Sequence, residues 1–149
     1  MSDLRELYQD VIIDHGRHPR NIGEMQDATH RQEGFNPLCG DKVKVYIKLH
    51  ADRVENIQFE GCGCAISMAS ASLMTEALKE KTLAEVDILF SAYHELVTCG
   101  ATSDHLGKLR VMAGLREFPL RVKCATLAWH TMKAALAESK QIVSTEESV

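Results

Sequence analysis

The chain is poor in the residues that break structure: three prolines and nine glycines in 149 residues leave no long unstructured linker. No run approaches the ~18 apolar residues of a membrane-spanning helix. The opening residues, Met1-Ser2-Asp3-Leu4-Arg5-Glu6, lack a basic stretch followed by an apolar one, so no secretory leader is expected. Positive charge is not in excess. Lys and Arg number 17 against 21 Asp and Glu, a net charge of −4. That is the wrong balance for a chain that binds nucleic acid by neutralising phosphates. No Cys-x-x-Cys pair occurs, and the five cysteines are an odd number, which excludes a complete disulfide set. Together these absences point to the cytoplasm. There, clustered thiols bind metal or carry sulfur more often than they cross-link.

What is present fits one globular domain. Hydrophobic residues make up 45% and charged residues 26%, an ordinary balance. A chain of this length buries about 68–70% of its unfolded surface, enough to fold without staples. Leu4, Leu7, Tyr8, Val11 and Ile12 recur at helical spacing, with Ser2 or Asp3 to cap the start and Gly16 to end the helix. Residues 28–35 give a weak strand signal. Residues 42–50 give a strong one, Val43, Val45, Ile47 and Leu49 alternating with Lys42, Lys44, Tyr46 and Lys48. After a turn at Ala51-Asp52, residues 53–60 return as a third strand, which predicts an antiparallel meander with one buried face. Helices are predicted over 65–80, from Thr82 onward through a capping box with Glu85, over 105–115, and over 119–139 behind Pro119. The order is that of an α+β domain over residues 1–140, with a frayed tail at 141–149.

Three regions place a thiol where an element begins or ends. Cys39 lies in the turn Asn36-Pro37-Leu38-Cys39-Gly40-Asp41, Cys62 and Cys64 in Gly61-Cys62-Gly63-Cys64, and Cys124 early in the last helix. A thiol near a helix N-terminus is favoured as thiolate. Asp41 stands two residues after Cys39, so in a strand both face one side. A thiol from the Gly-Cys-Gly-Cys turn and Cys124 complete a set of three Cys and one Asp. Such a set suits tetrahedral zinc or an iron–sulfur cluster. The competing reading is that these cysteines are buried small hydrophobes. Cys99 has no ligand type beside it and reads as structural or incidental. His15 and His18 read as surface or capping groups, and the lysines of the strong strand as a solvated face.

Four segments in order resemble the IscU/SufU family. They are Ile12-Ile13-Asp14-His15 with His18-Pro19-Arg20-Asn21; Asn36-Pro37-Leu38-Cys39-Gly40-Asp41; Phe59-Glu60-Gly61-Cys62-Gly63-Cys64 with Ser67-Met68-Ala69-Ser70-Ala71-Ser72; and Val122-Lys123-Cys124-Ala125-Thr126-Leu127. The resemblance covers roughly residues 4–137. It implies a small three-stranded antiparallel sheet with helices on one face, and a part in iron–sulfur cluster assembly.

Lys123 stands where IscU-type members carry a histidine, and Phe118-Pro119-Leu120-Arg121-Val122-Lys123 does not match their chaperone motif. Residues 98–118 look like the longer segment of the SufU branch, which is therefore favoured. By that match zinc would be held by Cys39, Asp41, Cys64 and Cys124. Cys62 would be an alternative ligand or sulfur acceptor, because IscU-type members carry their second cysteine there. The resemblance implies that Cys39 accepts sulfur from the persulfide of a pyridoxal-phosphate-dependent, SufS-like cysteine desulfurase. A downstream iron–sulfur scaffold or apo-proteins would receive it. Arg20 and Arg121 are candidates for docking that partner. The alternative is a scaffold on which iron or a [2Fe–2S] cluster is assembled and passed on.

Overall fold

In α1 (Leu4–Arg17) the apolar positions Tyr8, Val11 and Ile12 turn toward the core. The computed structural model describes residues 4–138 and 143–145; the expected Ser2 or Asp3 cap and most of the expected tail lie outside them. Helix α1 ends one residue beyond Gly16. A Cβ on Gly16 would sit 3.2 Å from the Ala65 Cβ and carbonyl oxygen, so its small size lets α1 pass close to the next helix.

Strands β1 (His30–Asn36), β2 (Asp41–His50) and β3 (Arg53–Cys62) pair antiparallel as the alternation predicts. Val43, Val45, Ile47, Ile57 and Phe59 are buried on the inner face. Tyr46, expected on the solvated face, is only 1% exposed. Arg31 and Lys44 cover its ring, with cationic groups 5.6 and 5.4 Å from the centroid, and its hydroxyl donates to Glu60. Cross-strand neighbours on a sheet are close enough for long side chains to enclose an aromatic ring.

The three-stranded expectation needs correction. Strand β4 (Val143–Ser144) pairs parallel to β1, Gly34 opposite Val143 and Phe35 opposite Ser144. The sheet is therefore mixed and four-stranded, in the order β3-β2-β1-β4. A two-residue strand carries no readable period. What attracts it is the row of backbone groups on the outer edge of β1. This part of the expected frayed tail is ordered pairing.

Helix α2 (Ala65–Leu78) is buried nearly all round, through Ala69, Ser70, Ala71, Ser72, Leu73, Met74 and Leu78. Its small residues admit close neighbours, and its buried hydroxyls are partnered: Ser70 Oγ donates to the Ala125 carbonyl at 2.5 Å. Helix α3 (Leu83–Cys99) starts at the expected capping box. Glu85 N donates to Thr82 Oγ1 at 3.2 Å and Thr82 N to Glu85 Oε1 at 2.9 Å. The predicted short helix is a 3-10 helix, Gly107–Glu117, burying Leu109, Val111, Met112 and Leu115.

Helix α4 (Pro119–Leu136) crosses β1 and β2, while α2 lies on β3. A Cβ on Gly34 would fall 2.1 Å from Thr131 Oγ1, so glycine there lets α4 approach the sheet. Tyr93 stacks on Trp129 at 4.5 Å between α3 and α4. Among the described residues no helix is long and apolar enough to cross a membrane.

Candidate metal centre

The end of the sheet where β1 turns into β2 meets the N-terminus of α2 and the second turn of α4. The turn itself is tight: Gly40 takes φ +73° and its N–H donates to the Asn36 carbonyl at 2.8 Å. That geometry leaves Cys39 exposed at the tip and turns Asp41, the first residue of β2, inward to full burial. Cys64 is the N-cap of α2, and its Sγ accepts from Ser67 N at 3.4 Å. Cys124 is fully buried on α4, its Sγ 3.3 Å from Cys39 Sγ.

One ligand atom from each of Cys39, Asp41 and Cys124 lies within 4.8 Å of the other two. Cys64 stands beside this trio, its Sγ 3.9 Å from Asp41 Oδ2.

Asp41 is held from several sides. Its Oδ1 accepts from Cys64 N at 2.8 Å, which joins the β2 carboxylate to the start of α2. Its Oδ2 accepts from Asn36 Nδ2 at 3.3 Å. Gly63 makes room for it: φ there is +152°, and a Cβ would meet Asp41 Oδ1 at 2.3 Å. Only glycine combines that backbone conformation with that approach.

The α2 terminus directs a backbone N–H at Cys64 Sγ. Burial pushes the Cys124 thiol up, and hydrogen bonds with Cys39, Asp41 and Cys64 add to the effect. Without a metal Cys124 therefore keeps its proton. Three sulfurs and one carboxylate oxygen that converge at the end of a sheet, two of them on fully buried residues, fit the donor chemistry of tetrahedral zinc. Cys39, Asp41, Cys64 and Cys124 are the residues that could hold it.

Cys62 is not brought to this cluster. It pairs with Lys42 at the end of β3 and shares the opposite sheet face with Phe35, Lys42, Lys44 and Glu60, where a groove opens to solvent. The pleat separates the two cysteines: Cys62 still follows the strand alternation, whereas Cys64 lies past Gly63 and caps the helix. Cys99 is exposed at the end of α3, away from the other four.

Arg20 is tied down elsewhere. Its guanidinium meets Asp14 Oδ2 at 2.6 Å and its backbone N donates to Ser72 Oγ at 2.8 Å, farther along α2. Arg121 is exposed in the first turn of α4, between the exposed Leu120 and the half-buried Val122.

His15 corrects an expectation. It is 1% exposed, with Nδ1 2.7 Å from Ser72 Oγ. It belongs to the α1–α2 packing and not to the surface. The glycine between the two thiols is expected from the sequence to permit close approach or positive φ, and Gly63 does both. Asn36 had no assigned role and could have been found only from its place in the turn motif.

The comparisons with known proteins agree with one another. A family model described as the NifU-like N-terminal domain matches residues 7–146. The chain is 38% identical over 141 residues to the zinc-dependent sulfurtransferase SufU of Bacillus subtilis (strain 168), covering 93% of this chain and 95% of that protein. It is 37% identical to the iron–sulfur cluster assembly scaffold protein IscU of Streptococcus pyogenes serotype M1, again over 141 residues, 93% of this chain and 88% of the relative.

Among solved structures, an iron–sulfur cluster assembly scaffold described for the SUF system of Fervidobacterium islandicum AW-1 superposes with a TM-score of 0.81 at 31% identity. It covers 85% of this chain and 94% of that one. A model match over nearly the whole length and relatives well above 30% identity carry the assignment: this chain belongs to the NifU-like N-terminal domain family, that of the SufU and IscU proteins of iron–sulfur cluster assembly.

Proposed function

We propose that this chain is a zinc-dependent sulfurtransferase of iron–sulfur cluster assembly, which takes sulfur from a cysteine desulfurase onto Cys39. The observation that carries the reading is the unequal burial of the cluster. Asp41 and Cys124 are fully buried, Cys64 is half-buried at a helix cap, and Cys39 is exposed on a turn. Of the clustered thiols, Cys39 is the most exposed to a partner's active site. Similarity to a relative named as a zinc-dependent sulfurtransferase supports the same reading.

The transfer is a thiol exchange. The Cys39 thiolate attacks the outer sulfur of the desulfurase's cysteine persulfide. The bond between the two partner sulfurs breaks, its electron pair leaves with the partner's cysteine as thiolate, and Cys39 becomes the persulfide. Such an attack depends on thiolate fraction, nucleophilicity and access. Zinc, when bound, supplies an environment that keeps thiols deprotonated without redox chemistry of its own.

Asp41, fixed by the Cys64 and Asn36 N–H groups, holds its place in the cluster while Cys39 reacts. Arg121, exposed on the same helix end as Cys124, is available to a docking partner. Arg20 is already engaged with Asp14 and is the weaker candidate. The desulfurase is of the pyridoxal-phosphate-dependent, SufS-like kind, and the sulfur passes on to a scaffold or apo-protein. The test is desulfurase turnover of cysteine with this chain or its Cys39→Ser variant. Stimulation by the native chain that disappears in the variant supports the proposal; equal stimulation by both removes Cys39 as acceptor.

A second reading follows from the similarity to IscU scaffolds: the same donors would carry a [2Fe–2S] cluster. Anaerobic reconstitution with iron and sulfide separates the two. A chromophore that transfers to an apo-ferredoxin supports the scaffold, and tight stoichiometric zinc with no transferable cluster supports sulfur transfer.

A further inference from the structure

Asn36 makes more polar contacts with the cluster than its place in a turn requires. It is fully buried at the last position of β1. Its Nδ2 donates to Asp41 Oδ2 at 3.3 Å and to Cys124 Sγ at 3.5 Å, so one amide group touches two candidate ligands from different elements. Its Oδ1 accepts from Leu38 N at 3.3 Å, beside Cys39, and from Thr145 Oγ1 at 3.0 Å. Turning the amide over would set acceptor against acceptor at Asp41 Oδ2 and donor against donor at Leu38 N, so these two partners fix its orientation. Thr145 directly follows β4, and its N–H donates to the Phe35 carbonyl at 3.2 Å, continuing the β1–β4 pairing toward the cluster.

We infer that Asn36 is a positioning residue for the metal centre and that the C-terminal strand clamps it through the Thr145 hydroxyl. The inference rests on the proposed reading of the cluster as a metal site. The two N–H groups of Asn36 point between a carboxylate and a sulfur that repel each other once both are charged. By donating to both, the amide offsets that repulsion and sets the spacing of the two ligands. Groups that hydrogen-bond metal ligands typically change metal affinity by about 10–100-fold when removed. Thr145 touches no ligand. It acts by filling the remaining acceptor position of Asn36 Oδ1, which keeps the amide plane in place.

Cobalt(II) is the probe, because its sulfur-to-metal charge-transfer and d–d bands report the ligand set apart from any activity. The metal-free full chain is titrated with cobalt, and affinity is read by competition with a chromogenic chelator. Four proteins are compared: native, Asn36→Asp, Thr145→Val and Thr145→Ser. Asn36→Asp keeps the shape but sets a carboxylate oxygen against Asp41 and Cys124; it should lower affinity by about 10–100-fold and shift the bands. Thr145→Val, which loses one hydrogen bond, should lower affinity by about 2–10-fold. Thr145→Ser, which keeps the hydroxyl, should match the native chain.

Circular dichroism of the metal-free forms shows whether each variant folds. If Asn36→Asp does not, the half-buried Thr145 pair carries the test. Native affinity and bands in both Asn36→Asp and Thr145→Val overturn the inference while the metal reading stands. Equal losses in Thr145→Val and Thr145→Ser overturn the clamp. Absence of charge-transfer bands in the native chain overturns the metal reading, and the inference with it.

Discussion

Gly63→Ala tests how the carboxylate is held. The added methyl would sit 2.3 Å from Asp41 Oδ1 and 2.9 Å from its Cγ, at a residue whose φ is +152°. Two costs follow. Forcing a non-glycine residue into that backbone region costs about 1–3 kcal/mol. Moving the carboxylate breaks its 2.8 Å bond from Cys64 N; a hydrogen bond to a charged group is worth about 1.5–3 kcal/mol. The two overlap, because backbone relaxation relieves part of the clash, so the expected loss is about 3–5 kcal/mol. For a chain of this size that lowers the melting temperature of the metal-free protein by roughly 6–20 °C.

The same displacement takes one ligand off its position, so zinc affinity should fall by about 10–100-fold. Thermal unfolding by circular dichroism reads the first effect, and competition with a zinc chelator reads the second. A Gly63→Ala protein that melts with the native chain and binds zinc equally would refute the account of how Asp41 is placed.

Three further outcomes are expected. Cys64→Ser should lower zinc affinity, whereas Cys62→Ser on the opposite sheet face should leave it unchanged; the reverse order in a chelator competition would exchange their roles. Burial and its hydrogen-bonded neighbours keep Cys124 protonated in the metal-free chain. Zinc must therefore displace at least that proton, and apparent affinity should rise with pH between about 6 and 8. Calorimetry in buffers of different ionisation enthalpy measures the release, and a pH-independent affinity would contradict it.

Burial, with Arg20 and Lys108 nearby, holds His15 below the usual imidazole range. The unfolded chain then takes up the proton first, so His15 contributes stability above about pH 6.5 that is lost as pH falls below it. Urea titrations across that range should show a shallower acid loss for His15→Gln. Some loss should remain, because His130 is lowered in the same sense by burial and by His94.

The sequence was most legible where a period repeats or a motif is local. The alternation of Val43, Val45 and Ile47 announced β2, and Thr82 with Glu85 announced the start of α3. The turn from Asn36 to Asp41 set a thiol and a carboxylate two residues apart, and the fold brings both to the Cys124 thiol. What stayed hidden depends on contacts between distant elements. Two residues of β4 have no pattern, and only the free edge of β1 gives them a partner.

His15 looked like a helix-end histidine. Gly16 against Ala65 brings α1 onto α2 and buries it. Tyr46 sits in an outward register, yet Arg31, Lys44 and Glu60 enclose it. The different places of Cys62 and Cys64 follow from where β3 stops. A strand ending at Cys62 sends that thiol outward and leaves Cys64 to cap α2.

The most direct test of sulfur transfer is to locate the transferred sulfur itself. The zinc-loaded chain is incubated with a cysteine desulfurase and cysteine, alkylated, digested and mapped by mass spectrometry under conditions that preserve persulfides. The account predicts one added sulfur on Cys39. Added sulfur on Cys62 with none on Cys39, or a chain that stays unmodified while the desulfurase turns over, would contradict it.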